Sequence, residues 1–387
     1  MEQDQRDRGR LADAGRLSWW LAAIGVVGLI VVFSVNAHAA RAAASQDWSP
    51  FVLVSGLLLI GLVADGDGLF AAAGNTLARL SSNGVVLFLG ATVMISLVTA
   101  LLNLDTSVAF LTPVLVYAAK SRGSAEAPLL YGCLLLSNAG SLFLPGSNLT
   151  NLIVLGHLRL TGAEFLAHSW APAIAALVVT AGVVLVAERR ELRVKSLDVR
   201  ATKRPVLGLG LVAVLAGTTL VIVLPSPALA VLGVGLVATG VRVVKGSDTP
   251  GHVAQVLGVP VLVGLFGVAV TLGAVGRLWS GPSLLLSHLD VWGTAAFAGV
   301  SSVLVNNLPA ASMLAARSSA HPFALLIGLN LGPNLCVTGS LAWLLWLRAA
   351  RLAGARPSLK KASQLGAWVV PASMSAAVLA LIGAGHG

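Results

Sequence analysis

Apolar stretches of about 20 residues recur along the whole chain, with short polar segments between them. A helix of about 20 residues crosses the roughly 30 Å of hydrocarbon in a bilayer. The alternation of apolar and polar residues that is typical of membrane-spanning strands is missing. The pattern therefore predicts an all-α integral membrane protein.

The apolar stretches of the first half predict six elements. They are a span, a second span, a short interfacial helix, a re-entrant hairpin, a broken span and a last span, at residues 17–35, 50–64, 68–80, 85–119, 128–155 and 171–187. The segment between the first two spans, which holds Arg41, is predicted to be an external loop. The hairpin is predicted because its apolar stretch is too long for one span and carries polar residues in its middle.

The second half repeats this order after one linking span at 206–224. Its elements are predicted at 228–244, 252–276, 277–290, 291–316, 322–347 and 365–382. A single span between two equivalent units turns one of them over, so the chain is predicted to be an inverted-repeat secondary transporter with two re-entrant hairpins and two broken helices. Its predicted parts are a cytoplasmic tail at 1–16, repeat 1 at 17–187, a basic cytoplasmic loop with the linking span at 188–227, and repeat 2 at 228–384.

Four polar clusters interrupt the predicted hairpins and broken spans, two in each half. Hydrocarbon cannot satisfy free backbone N–H and C=O groups, so irregular backbone at membrane depth must line a polar cavity enclosed by protein. Matched interruptions in two halves indicate the binding site of a transporter. The clusters are Asn103-Leu104-Asp105-Thr106, Pro145-Gly146-Ser147-Asn148, Asn306-Asn307-Leu308-Pro309 and Gly332-Pro333-Asn334 with Thr338-Gly339-Ser340.

Composition and charge support a membrane protein with its N-terminus in the cytoplasm. Hydrophobic residues make up 57% of the chain and charged residues 10%, whereas soluble domains carry about 25% charged residues. The predicted topology puts 21 of the 25 lysines and arginines on the cytoplasmic side, which satisfies the positive-inside rule. It places the C-terminus outside and favours the inner membrane. The net charge of +10 therefore reflects topology and not a nucleic-acid partner.

Asp105 is the one acidic residue that this topology places at membrane depth. A carboxylate there costs roughly 2.5–3.5 kcal/mol on insertion scales, and no basic residue is predicted at the same depth. Asp105 is either a neutral cap of the second hairpin helix or a cap that also carries the coupling proton or meets a cation. We expect the second role.

The other cluster residues supply neutral donors and acceptors, and helix N-termini at the breaks would direct N–H groups into the same cavity. Such a cavity suits an anion or a neutral hydroxylated solute. Cys336 is a candidate contact for a thiophilic solute, with a small packing residue as the alternative. No cofactor, metal site, phosphate-binding loop or enzyme constellation is predicted. The candidate substrate-binding residues are Asn103, Asp105, Thr106, Ser147, Asn148, Asn306, Asn307, Asn334, Thr338 and Ser340.

Several of these stretches resemble the ArsB arsenite-efflux family of the ion transporter superfamily. The resemblance covers roughly residues 50–350. It is carried by residues 65–70, 103–106, 111–113, 137–142, 146–151, 306–309, 331–334 and 338–346. One departure is the first hairpin tip, which reads Asn-Leu-Asp-Thr where typical members carry Asn and Asp next to each other.

The resemblance implies a two-repeat transporter that exchanges As(OH)₃ or Sb(OH)₃ for protons, with a cytoplasmic ATPase subunit as partner in some systems. A symporter of di- or tricarboxylates or another anion, and a sodium/proton antiporter, are the alternatives within the superfamily. A membrane receptor that transports nothing is the alternative from another class. A neutral substrate is mildly favoured because no lysine or arginine is predicted at the breaks.

Overall fold

The computed structural model describes residues 2–79, 83–156, 160–193 and 208–386, with side chains from Ser18 onwards. This part of the chain is helical and contains no strand. Six of its helical segments are long and apolar enough to cross a membrane. They are Ser18–Val35, Ala37–Gly66, Gly84–Leu101, Gly162–Ala187, Pro250–Leu278 and Leu359–Gly383.

The helices of the first half follow the predicted order. They are α1 (Glu2–Val35), α2 (Ala37–Gly66), α3 (Leu69–Arg79), α4 (Gly84–Leu101), α5 (Leu104–Ser121), α6 (Ala127–Gly140), α7 (Leu149–Leu155), α8 (Gly162–Ala187) and the short α9 (Arg189–Leu192). Helices α4 and α5 form the first hairpin. Helices α6 and α7 form the first broken helix, with a 3₁₀ turn at Pro145–Ser147 between them. The predicted hairpin and broken helix are confirmed.

The second half contains the linking helix and the second set of elements. They are α10 (Leu209–Val223), α11 (Ala228–Val244), α12 (Pro250–Leu257), α13 (Val259–Leu278), α14 (Gly281–His288), α15 (Val291–Val305), α16 (Asn307–Leu314), α17 (Pro322–Leu331), α18 (Leu341–Leu352) and α19 (Leu359–Gly383). Helices α15 and α16 form the second hairpin. Helices α17 and α18 form the second broken helix around a 3₁₀ turn at Gly332–Leu335. Most of the predicted basic loop lies outside the described residues.

Two predicted boundaries are wrong. Residues 37–49 were expected in an external loop, but α2 starts directly after Asn36, whose side-chain oxygen caps it by accepting from the backbone N–H of Ala39 at 2.9 Å. Pro50 therefore lies inside α2 and does not open it. The predicted span 252–276 is two helices, because Gly258 has a left-handed backbone with φ of +59° between α12 and α13.

Contacts between helices come in matched pairs. Helix α1 packs along α13 while α11 packs along α2, and α4 packs on α6 while α15 packs on α17. The second arm of each hairpin packs on the broken helix of the other half, α5 on α18 and α16 on α7. Helices α8 and α19 pack on each other, as do α2 and α13. Exchange of the two halves maps each of these contacts onto another of them or onto itself, as expected for two copies of one unit.

The two hairpins differ mainly in the length of their second arms. Helices α4 and α5 have 18 residues each, whereas α16 has only 8. At a rise of about 1.5 Å per residue, the arms of the first hairpin are roughly 27 Å long and α16 is roughly 12 Å long. The second arm of the first hairpin, α5, packs on α2, α6 and α18.

Candidate functional site

The first hairpin turns at Asn103, between α4 and α5. Asn103 Oδ1 accepts a hydrogen bond from the backbone N–H of Thr106 at 2.6 Å and so caps α5. Both side chains are buried, yet Asn103 Nδ2 and Thr106 Oγ1 have no hydrogen-bond partner. Buried polar groups are nearly always paired, so these two groups are available to a ligand or a water molecule.

Asp105 lies in the first turn of α5, between these two residues. It is half-buried, and its carboxylate makes no hydrogen bond or ion pair within the part of the chain that the structure describes. The positive end of the α5 dipole favours a negative charge at this position. The first tip thus combines an unpaired carboxyl group with two unpaired neutral groups.

The first broken helix is capped beside this tip. Asn148 Oδ1 accepts from the backbone N–H of Thr150 at 3.2 Å and caps α7. Ser147 Oγ donates to the backbone carbonyl of Ala100, near the end of α4, at 3.2 Å. The break in α6–α7 is therefore joined to the first hairpin.

The second hairpin turns at Asn306, the one described non-glycine residue with a positive φ, at +77°. Its Oδ1 caps α16 by accepting from the backbone N–H of Leu308 at 3.3 Å, and its Nδ2 donates to the carbonyl of Thr338 at 3.2 Å. The backbone N–H of Asn307 donates to the carbonyl of Gly339 at 2.8 Å. The second tip is thus bound to the loop of the second broken helix.

The two halves share one tie between break and hairpin. Thr338 Oγ1 donates to the carbonyl of Val303 at 2.8 Å, as Ser147 Oγ donates to that of Ala100. Val303 precedes Asn306 by three residues, and Ala100 precedes Asn103 by three. In both halves a hydroxyl group of the break therefore satisfies a carbonyl that the hairpin turn leaves free.

An amide network joins the two broken helices at their centre. Asn330 Oδ1 on α17 accepts from Ser141 Oγ and from Asn148 Nδ2, each at 2.6 Å. Asn330 Nδ2 donates to Asn151 Oδ1 at 2.8 Å. All four residues are buried. This network lies where the two halves meet, and both the oxygen and the nitrogen of the Asn330 amide are paired in it.

A second amide pair lies beside the network. Asn138 Nδ2 donates to Asn334 Oδ1 at 2.8 Å, and Asn334 Nδ2 donates to the carbonyl of Leu135 at 3.1 Å. Asn138 Oδ1 has no partner. Gly366 lets α19 pack directly on this break, because a Cβ at that position would collide with the carbonyl of Asn334.

Some of the unpaired buried groups of the described chain lie on helices that pack against α5, whereas others, such as those of Ser169, Thr180 and Ser373, lie elsewhere. Ser107 Oγ on α5 lies 3.3 Å from Ser137 Oγ on α6, which brings Asn138 close to the first tip. Ser340, at the start of α18, is buried with an unpartnered Oγ, and α18 packs against α5. No lysine or arginine of the described chain bonds to any of these groups. The arrangement can bind a small hydroxylated solute by hydrogen bonds beside one carboxyl group.

Several predicted site residues play other parts. The second tip, with Asn306 and Asn307, is hydrogen-bonded to the loop that holds Thr338. The Thr338 side chain is exposed. Cys336 is partly exposed, and its Sγ lies 3.0 Å from Thr338 Oγ1. The thiol therefore lies in the loop of the second break.

The predicted site omits Ser141, Asn151 and Asn330, which form the network between the halves, and Asn138 beside it. Three of them lie in stretches that carry the resemblance to the efflux family. Asn330 stands alone between leucines, without a proline or glycine next to it. A lone asparagine in an apolar helix is the available signal, because such a residue needs a partner on another helix.

A cavity of about 840 Å³ leads towards the first break. Its lining includes Pro145 of the break, Gln46 of α2, Arg277 of α13 and the loop between α10 and α11. That loop, Pro225-Ser226-Pro227, is on the face that the charge distribution predicts to be external. Asn103 and Asp105 are not part of this lining, so the first tip is closed off from the cavity in this conformation.

Comparison with known proteins identifies the class. The family model of the CitMHS citrate transporters matches residues 12–347, and the chain belongs to this family. An arsenical pump membrane protein of Yersinia enterocolitica is 26% identical over 337 residues, which cover 78% of each chain. The protein is thus a multi-pass secondary transporter of the superfamily that the sequence resembles.

A solved structure supports the architecture. The crystal structure of the YdaH transporter of Alcanivorax borkumensis aligns with a TM-score of 0.51 at 14% identity, over 94% of this chain and 98% of that chain. At this identity the similarity concerns the fold alone. The all-helical arrangement with hairpins and broken helices is confirmed.

Proposed function

We propose that the protein exports trivalent metalloid hydroxides, such as arsenite and antimonite, across the inner membrane in exchange for protons. The observation that carries the proposal is the first hairpin tip. It holds unpaired amide and hydroxyl groups next to one unpaired carboxyl group, and no cationic side chain among the described residues bonds to it.

A neutral substrate fits this set of groups better than a multiply charged one. As(OH)₃ and Sb(OH)₃ carry hydroxyl groups that donate to Asn138 Oδ1 and accept from Asn103 Nδ2. A dianion or trianion would need arginine or lysine to offset its desolvation, or several helix N-termini. In this proposal the unpaired groups of the substrate site belong to Asn103, Thr106, Asn138 and Ser340. The breaks beside them contribute Ser147, Asn148 and Asn334, and the second hairpin is held against the site by Asn306, Asn307 and Thr338.

Asp105 carries the coupling proton in this proposal. It lies within the site, so binding of proton and substrate are mutually linked. An inward proton gains about 2.3 kcal/mol per 100 mV, which supports roughly 50-fold accumulation of a neutral solute. The N-terminus is cytoplasmic and the C-terminus external in this orientation. Protons alone drive the exchange, and an ATPase partner would add flux that depends on ATP.

Transport of a di- or tricarboxylate is the second candidate. It is favoured by the description of the matching family and by Arg277, a cation in the lining of the cavity. In this case the anion would bind first in the cavity, beside Arg277, and then at the breaks.

Flux into everted membrane vesicles tests the proposal. Arsenite, antimonite, citrate, succinate and sodium are offered in turn, with an inside-acid proton gradient and with the gradient collapsed by an uncoupler. We expect uptake of arsenite and antimonite that needs the gradient, and none of the carboxylates. Gradient-dependent uptake confined to citrate or succinate rejects the metalloid assignment, and gradient-dependent sodium movement alone assigns an antiporter.

A further inference from the structure

A second carboxyl group is buried in the helical region, at Asp47 of α2. The sequence pattern placed it in a loop, but α2 extends through it and leaves its side chain 1% exposed. Neither carboxylate oxygen has a hydrogen-bond partner. A carboxylate buried without partners is strongly disfavoured, whereas a protonated carboxyl group is tolerated.

The groups around Asp47 do not neutralise it. Arg277 of α13 lies nearby but forms no ion pair with it, and donates instead to Gln46 Oε1 and to the carbonyl of Gly273. Ser312 of α16 also lies beside Asp47, and its hydroxyl donates to the carbonyl of Leu308 at 3.2 Å. Helices α7 and α16 carry no titratable residue. Arg317, just after α16, donates to the carbonyl of Arg277, and Arg41 on α2 itself is exposed.

Gln46, the neighbour of Asp47, joins α7 and the end of α16 to α2. Its Nε2 donates to the carbonyl of Ile153 in α7 and to the carbonyl of Ala315 after α16, each at 3.0 Å. Helix α7 starts at the first break and α16 at the second hairpin tip. We call these two Gln46 bonds the Gln46 clasp. Arg277 bonds to the same side chain through its Oε1.

We propose that Asp47 is a second proton-binding residue of the transport cycle and that it controls the Gln46 clasp. With a proton on Asp47, Arg277 stays on Gln46, and α7 and α16 are held to α2. When the proton leaves, the carboxylate attracts Arg277, Gln46 loses its partner, and α7 and α16 are released. The inference rests on the proposed function in so far as protons drive transport.

Infrared difference spectroscopy tests the proton site without any transported solute. Purified protein in lipid is titrated from acid to alkaline pH, and the carbonyl stretch of protonated carboxyl groups is followed. We expect Asp47→Asn, which keeps the side-chain volume, to remove one component of this band. Asp105→Asn removes a different component, and Asp290→Asn, at an exposed helix cap, removes only a component that titrates in the acid range of ordinary carboxyl groups. An unchanged band in Asp47→Asn overturns the proposal, whether or not the protein transports metalloids.

Transport measurements test the clasp. We expect Asp47→Asn to flatten the pH profile of transport, while one proton per solute is still moved through Asp105. Gln46→Leu should keep the Asp47 band but flatten the pH profile in the same way. A Gln46→Leu profile that matches the wild type would show that Asp47 does not act through the clasp. A normal band without proton-driven flux of any solute would instead reject the proposed function.

Discussion

The two hairpin tips have the same position in their repeats but differ in how far their polar groups are paired. At the second tip, Asn306 and the backbone of Asn307 bond to the loop at Thr338 and Gly339. At the first tip, Asn103 Oδ1 caps α5 by accepting from the Thr106 N–H, whereas Asn103 Nδ2 and Thr106 Oγ1 have no partner. The first tip also holds Asp105, for which the second tip has the neutral Leu308.

This difference indicates a division of roles between two copies of one unit. Unpaired buried groups cost free energy, so they persist where something else pairs them, such as a ligand. The first tip therefore has the features of a binding site, while the second has those of a structural joint. Four predictions test this division, from the largest expected effect to the smallest.

Breaking the Asn330 network between the two broken helices should have the largest effect. Asn330→Leu leaves Ser141, Asn148 and Asn151 without their partner on α17, which should lower the free energy of unfolding by about 3 kcal/mol. Thermal unfolding in detergent measures this loss.

Asn138→Leu is the matched variant in the first half. Asn138 has one bond to the other half and an Oδ1 that is already unpaired, so we expect a loss of only about 1 kcal/mol. Equal losses in the two variants would contradict the expectation that Asn330, with three partners in the other half, contributes more stability than Asn138.

Removing the charge of the first tip should abolish coupling. Asp105→Asn cannot release a proton, so the accumulation of arsenite should fall from roughly 50-fold at 100 mV to equality across the membrane. Substrate exchange without a gradient should persist, because the amide groups remain. Vesicle uptake with an imposed potential measures both, and Asp290→Asn, which keeps an exposed cap, is the control. Wild-type accumulation in Asp105→Asn would show that another residue carries the coupling proton.

Asp105 also shows what the sequence could reveal. An acidic residue inside an apolar stretch, next to asparagine and threonine, is informative without any structure, because hydrocarbon does not tolerate it. The breaks were predictable for the same reason, since glycine, proline and asparagine interrupt helices locally. Four of these interruptions lie in the hairpins and broken helices of the described chain, as the pattern indicates.

What depends on contacts between distant segments could not be predicted. Asn330 was missed because its partners are about 180 residues away and no local pattern marks it. Asp47 was placed in a loop because Pro50 suggested the start of a helix. Proline also occurs inside membrane helices, where neighbouring groups satisfy the freed carbonyl. Which polar groups remain unpaired is likewise a property of packing and not of residue type.

Asn103 separates capping from ligand binding. Asn103→Ala loses the bond to the Thr106 N–H, which should cost about 1 kcal/mol of stability, and also loses the free Nδ2. Asn103→Ser keeps an oxygen for the cap but removes the amide donor. Both variants should bind arsenite about tenfold more weakly, a loss of about 1.4 kcal/mol, whereas only Asn103→Ala should unfold earlier. Binding measured by calorimetry and unfolding measured by heating separate the two effects. Full affinity in Asn103→Ser would exclude the Nδ2 as a substrate contact.

The smallest effect is expected at the second tip. Asn306 has a φ of +77° and a ψ of +148°, a backbone region that glycine occupies far more readily than other residues. Asn306→Gly relieves this strain but loses the cap on Leu308 and the bond to Thr338, and a glycine cap costs only a few tenths of a kcal/mol. The two effects oppose each other, so stability should change by less than about 1 kcal/mol. Affinity for arsenite should stay within about twofold of the wild type, because no unpaired group is removed. A tenfold loss of affinity in Asn306→Gly, equal to that of Asn103→Ser, would mean that both tips bind substrate and that the division of roles between the repeats is wrong.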